Sequence, residues 1–302
     1  MVALRESQLV LGLDPDPARL WPHAFELAAG ADDASAPPAI RAAQAVTRHC
    51  RLLIDAVAEF AVAVKPQVAC FERLGAPGWQ ALAEVVDHAQ AAGLLVIADA
   101  KRGDVDVSAA AYAQTFFGET PTPYGPVPGL GVDALTVSPW LGGDSVAPFI
   151  DAARAANPRG GLFVLVRNSN PGAADLQELE TGLGSVSEAA ARLVDRLGSG
   201  GVGSAGFSDV GAVVGATAPH RLQRLRELLP HTIFLLPGVG AQGGRVEDLA
   251  PVFAPGPAGG LISVSRALAY AHERDGGDPA QSARREAARL RDIAWGLLSP
   301  SR

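Results

Sequence analysis

The sequence predicts an α/β protein that folds as one closed (β/α)8 barrel, the TIM-barrel architecture, in a single domain. The chain of 302 residues is 48% hydrophobic and 19% charged, which is typical of a globular protein with a large core. Eight short apolar runs lack polar alternation, as parallel strands covered on both faces do. Helical patterns separate these runs without a break in composition, so residues 1–302 are expected to form one domain.

The eight predicted strands are spaced so that a helix fits between most neighbours. An open, doubly wound sheet is the alternative architecture, because the number of strands is inferred from one sequence. The predicted strands are LVLGL (9–13), AVAVK (61–65), LLVIA (94–98), ALTVS (134–138), LFVLV (162–166), VGAVV (210–214), TIFLL (232–236) and GLISV (260–264).

Helical signals lie between the strands. In residues 41–60, apolar side chains recur at spacings of four and three, which places them on one helix face. Residues 77–93 begin with proline and end with glycine, as helices do. A final helix is predicted over residues 279–298, with Asp278 as its N-cap and Pro279 in its first turn.

Two segments interrupt the alternation of strands and helices. Residues 14–40 are predicted to be a long loop after the first strand, with one helical turn or more. Residues 120–131 are too rich in proline and glycine to predict regular structure. Neither segment is expected to link two domains, because strand signals resume directly after each.

Charge and cysteine content limit the classes of function. Lys and Arg number 25 against 32 Asp and Glu, giving a formal net charge of −7, which argues against nucleic-acid binding. The two cysteines, Cys50 and Cys70, cannot form a disulfide framework and predict reduced thiols in a cytoplasmic protein. We expect no signal peptide and no membrane-spanning helix, since no charge-free stretch of about 18 apolar residues is present.

Charged residues stand where three predicted strands end. In ADAKRGDVD (98–106), Asp99 and Lys101 share one face, because residues i and i+2 of a strand point the same way. Asp14 and Lys65 end the first and second strands in a similar position. Active sites of (β/α)8 barrels lie at the carboxyl ends of the strands, so these charges are expected to meet at one pocket mouth. A solvated turn with an incidental ion pair is the alternative for such a motif taken alone.

The charge pattern predicts the kind of chemistry. A lysine held near carboxylates keeps its proton, so it is a proton donor and an electrostatic partner instead of an amine nucleophile. A lysine that forms an imine requires an apolar or cationic environment instead. We therefore predict that Lys101 stabilises and then protonates a carbanion.

Glycine-rich residues follow the predicted seventh strand. GVGAQG (238–243) matches the dinucleotide-binding pattern G-x-G-x-x-G, but that site needs an acidic residue about 20 positions later, where Ser263, Ser265 and Arg266 stand. In (β/α)8 barrels, the loops after strands seven and eight often hold a phosphate. Gln242 can donate from its amide and Arg266 can bind a phosphate bidentately, so a phosphate site is predicted here.

Six motifs stand at the ends of predicted strands, in the order KPQVACFE, ADAKRGDV, TVSPWLGGDS, VVGAT, PGVGAQGG and SVSRA. Together they resemble the orotidine 5′-phosphate decarboxylase family, in its longer bacterial branch. The likeness extends from near residue 8 to the final helix, and the set of six is more specific than D-x-K-x-x-D alone.

The resemblance implies a homodimeric (β/α)8 barrel that converts orotidine 5′-phosphate to uridine 5′-phosphate and CO₂, the last step of pyrimidine synthesis, with no metal and no organic cofactor. It implies that Asp104, with Val105 and Ser108 beside it, reaches into the neighbouring subunit's site. The residues that match the family's catalytic array are Lys65, Asp99, Lys101 and Asp104. The residues that match its substrate-binding positions are Asp14, Ser108, Ser138, Gln242 and Arg266.

By that resemblance, Asp14 and Lys65 contact the ribose, Ser138 contacts the pyrimidine, and the phosphate is held by Gln242 and Arg266. Some residues depart from the family pattern. Val105 and Ser108 replace an isoleucine and a threonine, and RNSNPG replaces a Lys-Thr-Ser-Asn pattern.

Other classes of protein remain as alternatives. Metal-dependent sugar-phosphate decarboxylases and synthases share D-x-K-x-x-D, but they carry an acidic Mg²⁺ ligand on strand two, where Lys65 stands. A non-catalytic binder of phosphate ligands would keep Gln242 and Arg266 without needing four clustered charges. The six histidines show no metal-binding spacing, which argues against a zinc hydrolase. Trp79, Trp140 and Trp295 are expected in the core.

Overall fold

The computed structural model describes residues 1–29, 35–240 and 242–298. At its centre, eight parallel strands form a closed barrel in which each strand pairs with the next along the chain and the last pairs with the first. This closure confirms the predicted fold class, and the open doubly wound sheet is wrong. The strands are β1 (Leu9–Leu13), β2 (Ala63–Pro66), β3 (Leu95–Arg102), β4 (Ala134–Val137), β5 (Gly161–Arg167), β6 (Val210–Val214), β7 (Phe234–Leu236) and β8 (Gly260–Val264).

Most strand bounds lie within two residues of the predicted ones, but β3 continues four residues further, to Arg102. Its pairing with β4 shifts register between Ala98 and Arg102. The charged motif that starts at Asp99 is therefore the irregular end of a barrel strand.

Helices surround the barrel. Among the described residues they are α1 (Val2–Arg5), α2 (Pro22–Ala29), α3 (Pro38–Val57), α4 (Val68–Glu72), α5 (Ala76–Ala91), α6 (Asp106–Phe117), α7 (Gly143–Ala155), α8 (Ala174–Gln177), α9 (Val186–Gly198), α10 (Pro219–Leu228), α11 (Arg266–Ala269), α12 (Ala271–Asp275) and α13 (Pro279–Gly296). Short 3₁₀ helices cover Pro171–Ala173, Ser199–Gly201, Val246–Phe253 and Pro257–Gly259.

The segment predicted as a long loop, 14–40, is more regular than expected. It contains the eight-residue helix α2, and α3 begins within it. The prolines that indicate a loop in the sequence, Pro22 and Pro38, stand at the first positions of these helices, where proline is favoured because its missing N–H is not needed. Residues 30–34 of the predicted loop lie outside the described residues.

Three further expectations need correction. Residues 120–131 contribute to a short antiparallel pair, Glu119–Thr120 with Val127–Pro128. The final helix begins at Pro279 with Asp278 as its N-cap, as predicted, but it ends at Gly296, two residues before the predicted end at residue 298. Trp140, expected in the core, is 71% exposed because it stands in the turn after β4.

The barrel interior is apolar at one end and polar at the other. Near the amino ends of the strands, buried side chains such as Val10, Ile97 and Phe163 form an apolar cluster. Near the carboxyl ends, interior positions carry buried polar groups, among them Lys65 and Asp99. This change of polarity places a charged site above an apolar floor. In the described part of the chain, no helix is long and apolar enough to cross a membrane.

Candidate active site

A cavity of about 290 Å³ opens at the carboxyl ends of the barrel strands. It lies where the strand-end charges were expected to meet. The predicted residues that line it are Asp14, Lys65, Asp99, Lys101, Gln242 and Arg266.

The centre of the cavity is the carboxylate of Asp99, which two ammonium groups contact from different sides. Lys65 Nζ donates to Asp99 Oδ2 at 2.5 Å, and Lys101 Nζ donates to Asp99 Oδ1 at 2.5 Å. Lys65 and Asp99 are 7% and 6% exposed, whereas the Lys101 side chain is 44% exposed and faces the opening. Lys101 is thus the member of this array that an entering ligand can reach most directly.

The electrostatics of this array keep its buried members ionised. Burial raises the pKa of Asp99, but the attraction and hydrogen bonds of Lys65 and Lys101 outweigh it and hold that pKa well below its usual range. Burial lowers the pKa of Lys65, but Asp99 and Asp14 outweigh it and raise that pKa above its usual value. Lys65 and Asp99 therefore form an ion pair at neutral pH.

The backbone around Lys101 is unusual. Lys101 has a φ of +48°, a left-handed conformation that costs a residue with a side chain about 1–2 kcal/mol. The side chain of Thr136 on β4 compensates, because its hydroxyl accepts the Lys101 N–H at 3.0 Å. The same hydroxyl donates to Asp99 Oδ1 at 3.0 Å. Gln67 Nε2 adds a weaker hydrogen bond to Asp99 Oδ2 at 3.3 Å.

Thr136 and Gln67 were missed in the sequence because neither is charged and the family resemblance gave neither a role. The two-residue period of a strand could have identified Gln67, which follows Lys65 by two positions and so shares its face. It gives no such signal for Thr136, because Ser138, two positions later, lies beyond the end of β4 and outside the cavity lining.

Three predicted residues do not line the cavity of the single chain. Ser138 donates its backbone N–H to the Arg102 carbonyl at 2.8 Å, and Thr136 is the β4 residue on the cavity wall. Asp104 accepts the Val105 N–H at 2.8 Å in the loop after β3, and Ser108 is exposed on α6. The roles of all three residues stay predictions.

The glycine-rich turn after β7 forms one side of the cavity. Gly238, Gly240 and Gly243 all have positive φ angles, and Gly244 donates its N–H to the Gly238 carbonyl at 3.0 Å. A Cβ on Gly238 would lie 2.9 Å from Ser169 Cβ, so only glycine fits beside the loop that follows β5. Gln242 lines the cavity, whereas Ala241 of the predicted phosphate loop lies outside the described residues.

Arg266 begins α11 directly after β8 and faces the same cavity. Its guanidinium forms no ion pair with any residue that the structure describes, in contrast to Lys65 and Lys101. A cation without a carboxylate partner at a cavity wall is suited to an anionic ligand. Asn168 on the loop after β5 also lines the cavity, and its buried Oδ1 has no hydrogen-bond partner among the residues that the structure describes.

The donor set of the cavity does not resemble a metal centre. Within residues 1–29, 35–240 and 242–298, no group of three or more His, Cys, Asp or Glu side chains could hold a metal ion.

The fold and the position of the charged cavity place the protein among (β/α)8-barrel enzymes with active sites at the carboxyl ends of the strands.

Comparisons with known proteins identify the family. The model of the family described as "Orotidine 5'-phosphate decarboxylase / HUMPS family" matches residues 7–285, and the chain belongs to this family. The chain is 46% identical over 247 residues to an orotidine 5′-phosphate decarboxylase of Deinococcus radiodurans, covering 82% of this chain and 84% of the relative. These matches confirm the family predicted from the six sequence motifs.

Solved structures agree with the family assignment. A structure of Leishmania donovani OMP decarboxylase is 32% identical with a TM-score of 0.69, and the match covers 97% of both chains. A structure of UMP synthase from the same organism is 33% identical, also with a TM-score of 0.69. The match covers 97% of this chain, which spans 55% of the length of that synthase.

Proposed function

We propose that this cavity decarboxylates orotidine 5′-phosphate through a carbanion at C6 of the pyrimidine, and that Lys101 stabilises and protonates this carbanion. The overall reaction, which yields uridine 5′-phosphate and CO₂, is that of the orotidine 5′-phosphate decarboxylases to which the chain is related. The observation that carries the proposal is the Asp99 carboxylate held between Lys65 and Lys101 at the barrel mouth.

This arrangement suits a reaction in which negative charge appears on carbon. Loss of CO₂ from C6 leaves an electron pair that the ring does not delocalise, so catalysis requires a positive group already in position. The Lys101 ammonium is fixed by Asp99 and exposed to the cavity. It can therefore approach C6 as the carboxylate leaves and then transfer a proton to it.

The phosphate group supplies binding energy at a distance from the reacting carbon. Gln242 and Arg266 lie on the cavity wall formed by the loops after β7 and β8. Contacts of these donors with the phosphate orient the pyrimidine toward Lys101, so binding energy from a non-reacting group serves the chemical step. Asp14 and Lys65 are proposed to hold the ribose between these two ends.

We further propose a homodimer in which Asp104 and Ser108 complete the partner's site. Both residues belong to the loop and helix that follow β3, outside the cavity of their own chain. Val105 and Val107 beside them are 45% and 83% exposed, which is unfavourable for apolar side chains unless another surface covers them.

We also propose a cytoplasmic location. The free thiols of Cys50 and Cys70 fit this location, because thiols stay reduced there.

The test of the proposed function is conversion of orotidine 5′-phosphate to uridine 5′-phosphate in the presence of excess EDTA, followed by chromatography of the nucleotides. We expect full turnover in EDTA, because the cavity binds its ligand through side-chain cations and amides. Activity that EDTA abolishes and Mg²⁺ restores would contradict the proposal and favour the metal-dependent relatives. Binding of uridine 5′-phosphate without any decarboxylation would favour a non-catalytic binder.

A further inference from the structure

We infer that Thr136 is a positioning residue for the reaction, one that fixes the Lys101 ammonium and the Asp99 carboxylate relative to each other. The inference deepens the proposed function and rests on it. Thr136 lies on β4 and lines the cavity beside both residues.

One hydroxyl group joins the two ends of Lys101 in a closed ring of hydrogen bonds. The Lys101 N–H donates to Thr136 Oγ1 at 3.0 Å, and Thr136 Oγ1 donates to Asp99 Oδ1 at 3.0 Å. The ring closes because Lys101 Nζ donates to the same Asp99 oxygen at 2.5 Å. A threonine hydroxyl can donate one hydrogen bond while it accepts others, so both of its bonds form at once.

The strand ladder explains why a side chain is needed at this point. The β3–β4 pairing is interrupted between Ala98 and Arg102, and Lys101 has a left-handed backbone conformation. The Lys101 N–H therefore has no place in the regular ladder, and a buried N–H without a partner is unfavourable. The Thr136 hydroxyl takes the place of the missing backbone acceptor.

Thr136 is well suited to hold a fixed geometry. Thr136 is 1% exposed, so its hydroxyl is largely shielded from bulk water. Its β-branched side chain has few accessible rotamers on a strand, which keeps the hydroxyl in one place. Without this hydroxyl, the hydrogen bond from the flexible Lys101 side chain would be the one that still fixes Lys101 relative to Asp99.

The test compares kcat, KM and the affinity for uridine 5′-phosphate among variants at position 136. For Thr136→Val, which keeps the shape and removes the hydroxyl, we expect kcat to fall about 10- to 100-fold, because small displacements of a catalytic group have effects of this size. We expect KM and product affinity to stay within about threefold, because Thr136 is not proposed to hold the phosphate or the ribose.

Two further variants keep the test independent of the fold. Thr136→Ser and Thr136→Ala both lose the methyl group and differ only in the hydroxyl, so we expect the serine variant alone to approach wild-type kcat. Thr47→Val is the matched control. Thr47 is buried on α3 and donates to the Ala43 carbonyl, away from the cavity, so its kcat should be unchanged.

Equal kcat values for the serine and alanine variants would overturn the inference, as would a wild-type kcat in Thr136→Val. A loss of product affinity as large as the loss of kcat would also overturn it, because general damage to the site explains that result. Lys101→Ala separates this inference from the proposed function. If Lys101→Ala is inactive and Thr136→Val is fully active, only the positioning role fails. If Lys101→Ala is active, the proposed role of Lys101 fails.

Discussion

At the scale of single residues, burial favours the neutral form of both Asp99 and His49, but only His49 becomes neutral. Asp99 stays ionised because two ammonium groups contact its carboxylate. His49 is 3% exposed, and its burial, with a smaller contribution from the nearby His272, lowers its pKa to about 4. The backbone N–H of Trp21 donates to His49 Nδ1 at 3.1 Å, a hydrogen bond that the neutral ring can accept.

His49 predicts a pH dependence of stability. The pKa of His49 is about 4 in the folded protein and 6.5 when the ring is not buried. The unfolded chain therefore binds an additional proton as the pH falls below 6.5. The free energy of unfolding should therefore decrease by about 2–3 kcal/mol between pH 6.5 and 4.5. Asp99, whose pKa is lowered from an ordinary value of 3.8, loses its contribution mainly below that range.

Urea unfolding at a series of pH values measures this effect. His49→Gln, which has no titrating ring, should give a flatter curve between pH 6.5 and 4.5 than the wild type. Parallel curves for the two proteins would show that another group causes the pH dependence.

The charged and neutral residues of the site differ in how well the sequence predicts them. Asp14, Lys65, Asp99 and Lys101 are predictable because charges at the ends of buried strands are unusual and need a reason. Thr136 is not, since a threonine within an apolar strand is common and β-branched residues are favoured there. Its role depends on the displaced Lys101 backbone, which strand periodicity does not predict.

At the scale of elements, continuous apolar runs predict the barrel strands well, because parallel strands are covered on both faces. The end of β3 was not predicted, since its last four residues are alanine and charged residues that resemble a loop. The length of helix α2 was not predicted, because proline, its first residue, is favoured both in turns and at helix starts.

The segment between β1 and α2 also has a structural role that the sequence does not predict. Trp21 is buried, and its Nε1–H donates to the Ala269 carbonyl at the end of α11 at 2.7 Å. The Arg19 guanidinium lies 4.1 Å from the centre of the Tyr270 ring, just beyond that helix. Since α11 begins with Arg266, this segment braces the element that carries the proposed phosphate ligand.

Trp21→Phe tests this brace, because it keeps an aromatic ring and removes the N–H donor. Loss of one hydrogen bond of about 1 kcal/mol should raise KM for orotidine 5′-phosphate about fivefold and leave kcat nearly unchanged. Steady-state kinetics measure both constants. Trp79→Phe, on α5, is the control and should leave KM unchanged. A wild-type KM in Trp21→Phe would show that α11 holds its position without this bond.

At the scale of the whole molecule, an acidic protein concentrates positive charge in one cavity. The formal net charge is −7, yet three cations, Lys65, Lys101 and Arg266, line the cavity at the carboxyl ends of the strands, against two described carboxylates, Asp14 and Asp99. This local excess of positive charge favours an anionic nucleotide at the cavity over the rest of the surface. The exposed valines beside Asp104 lie on the surface where the proposed second copy of the chain would bind.

The central claim is that one active site combines Lys101 of one protomer with Asp104 of the other. The most direct measurement is decarboxylation of orotidine 5′-phosphate by Lys101→Ala, by Asp104→Ala, and by dimers formed from equal amounts of both, prepared by co-expression. Each variant alone should be nearly inactive, with kcat at least about 100-fold below that of the wild type. In the mixture, half of the dimers are hybrids and each hybrid has one intact site, so about a quarter of wild-type activity should return. Near-wild-type turnover by Lys101→Ala alone, or a mixture as inactive as its components, would contradict the account.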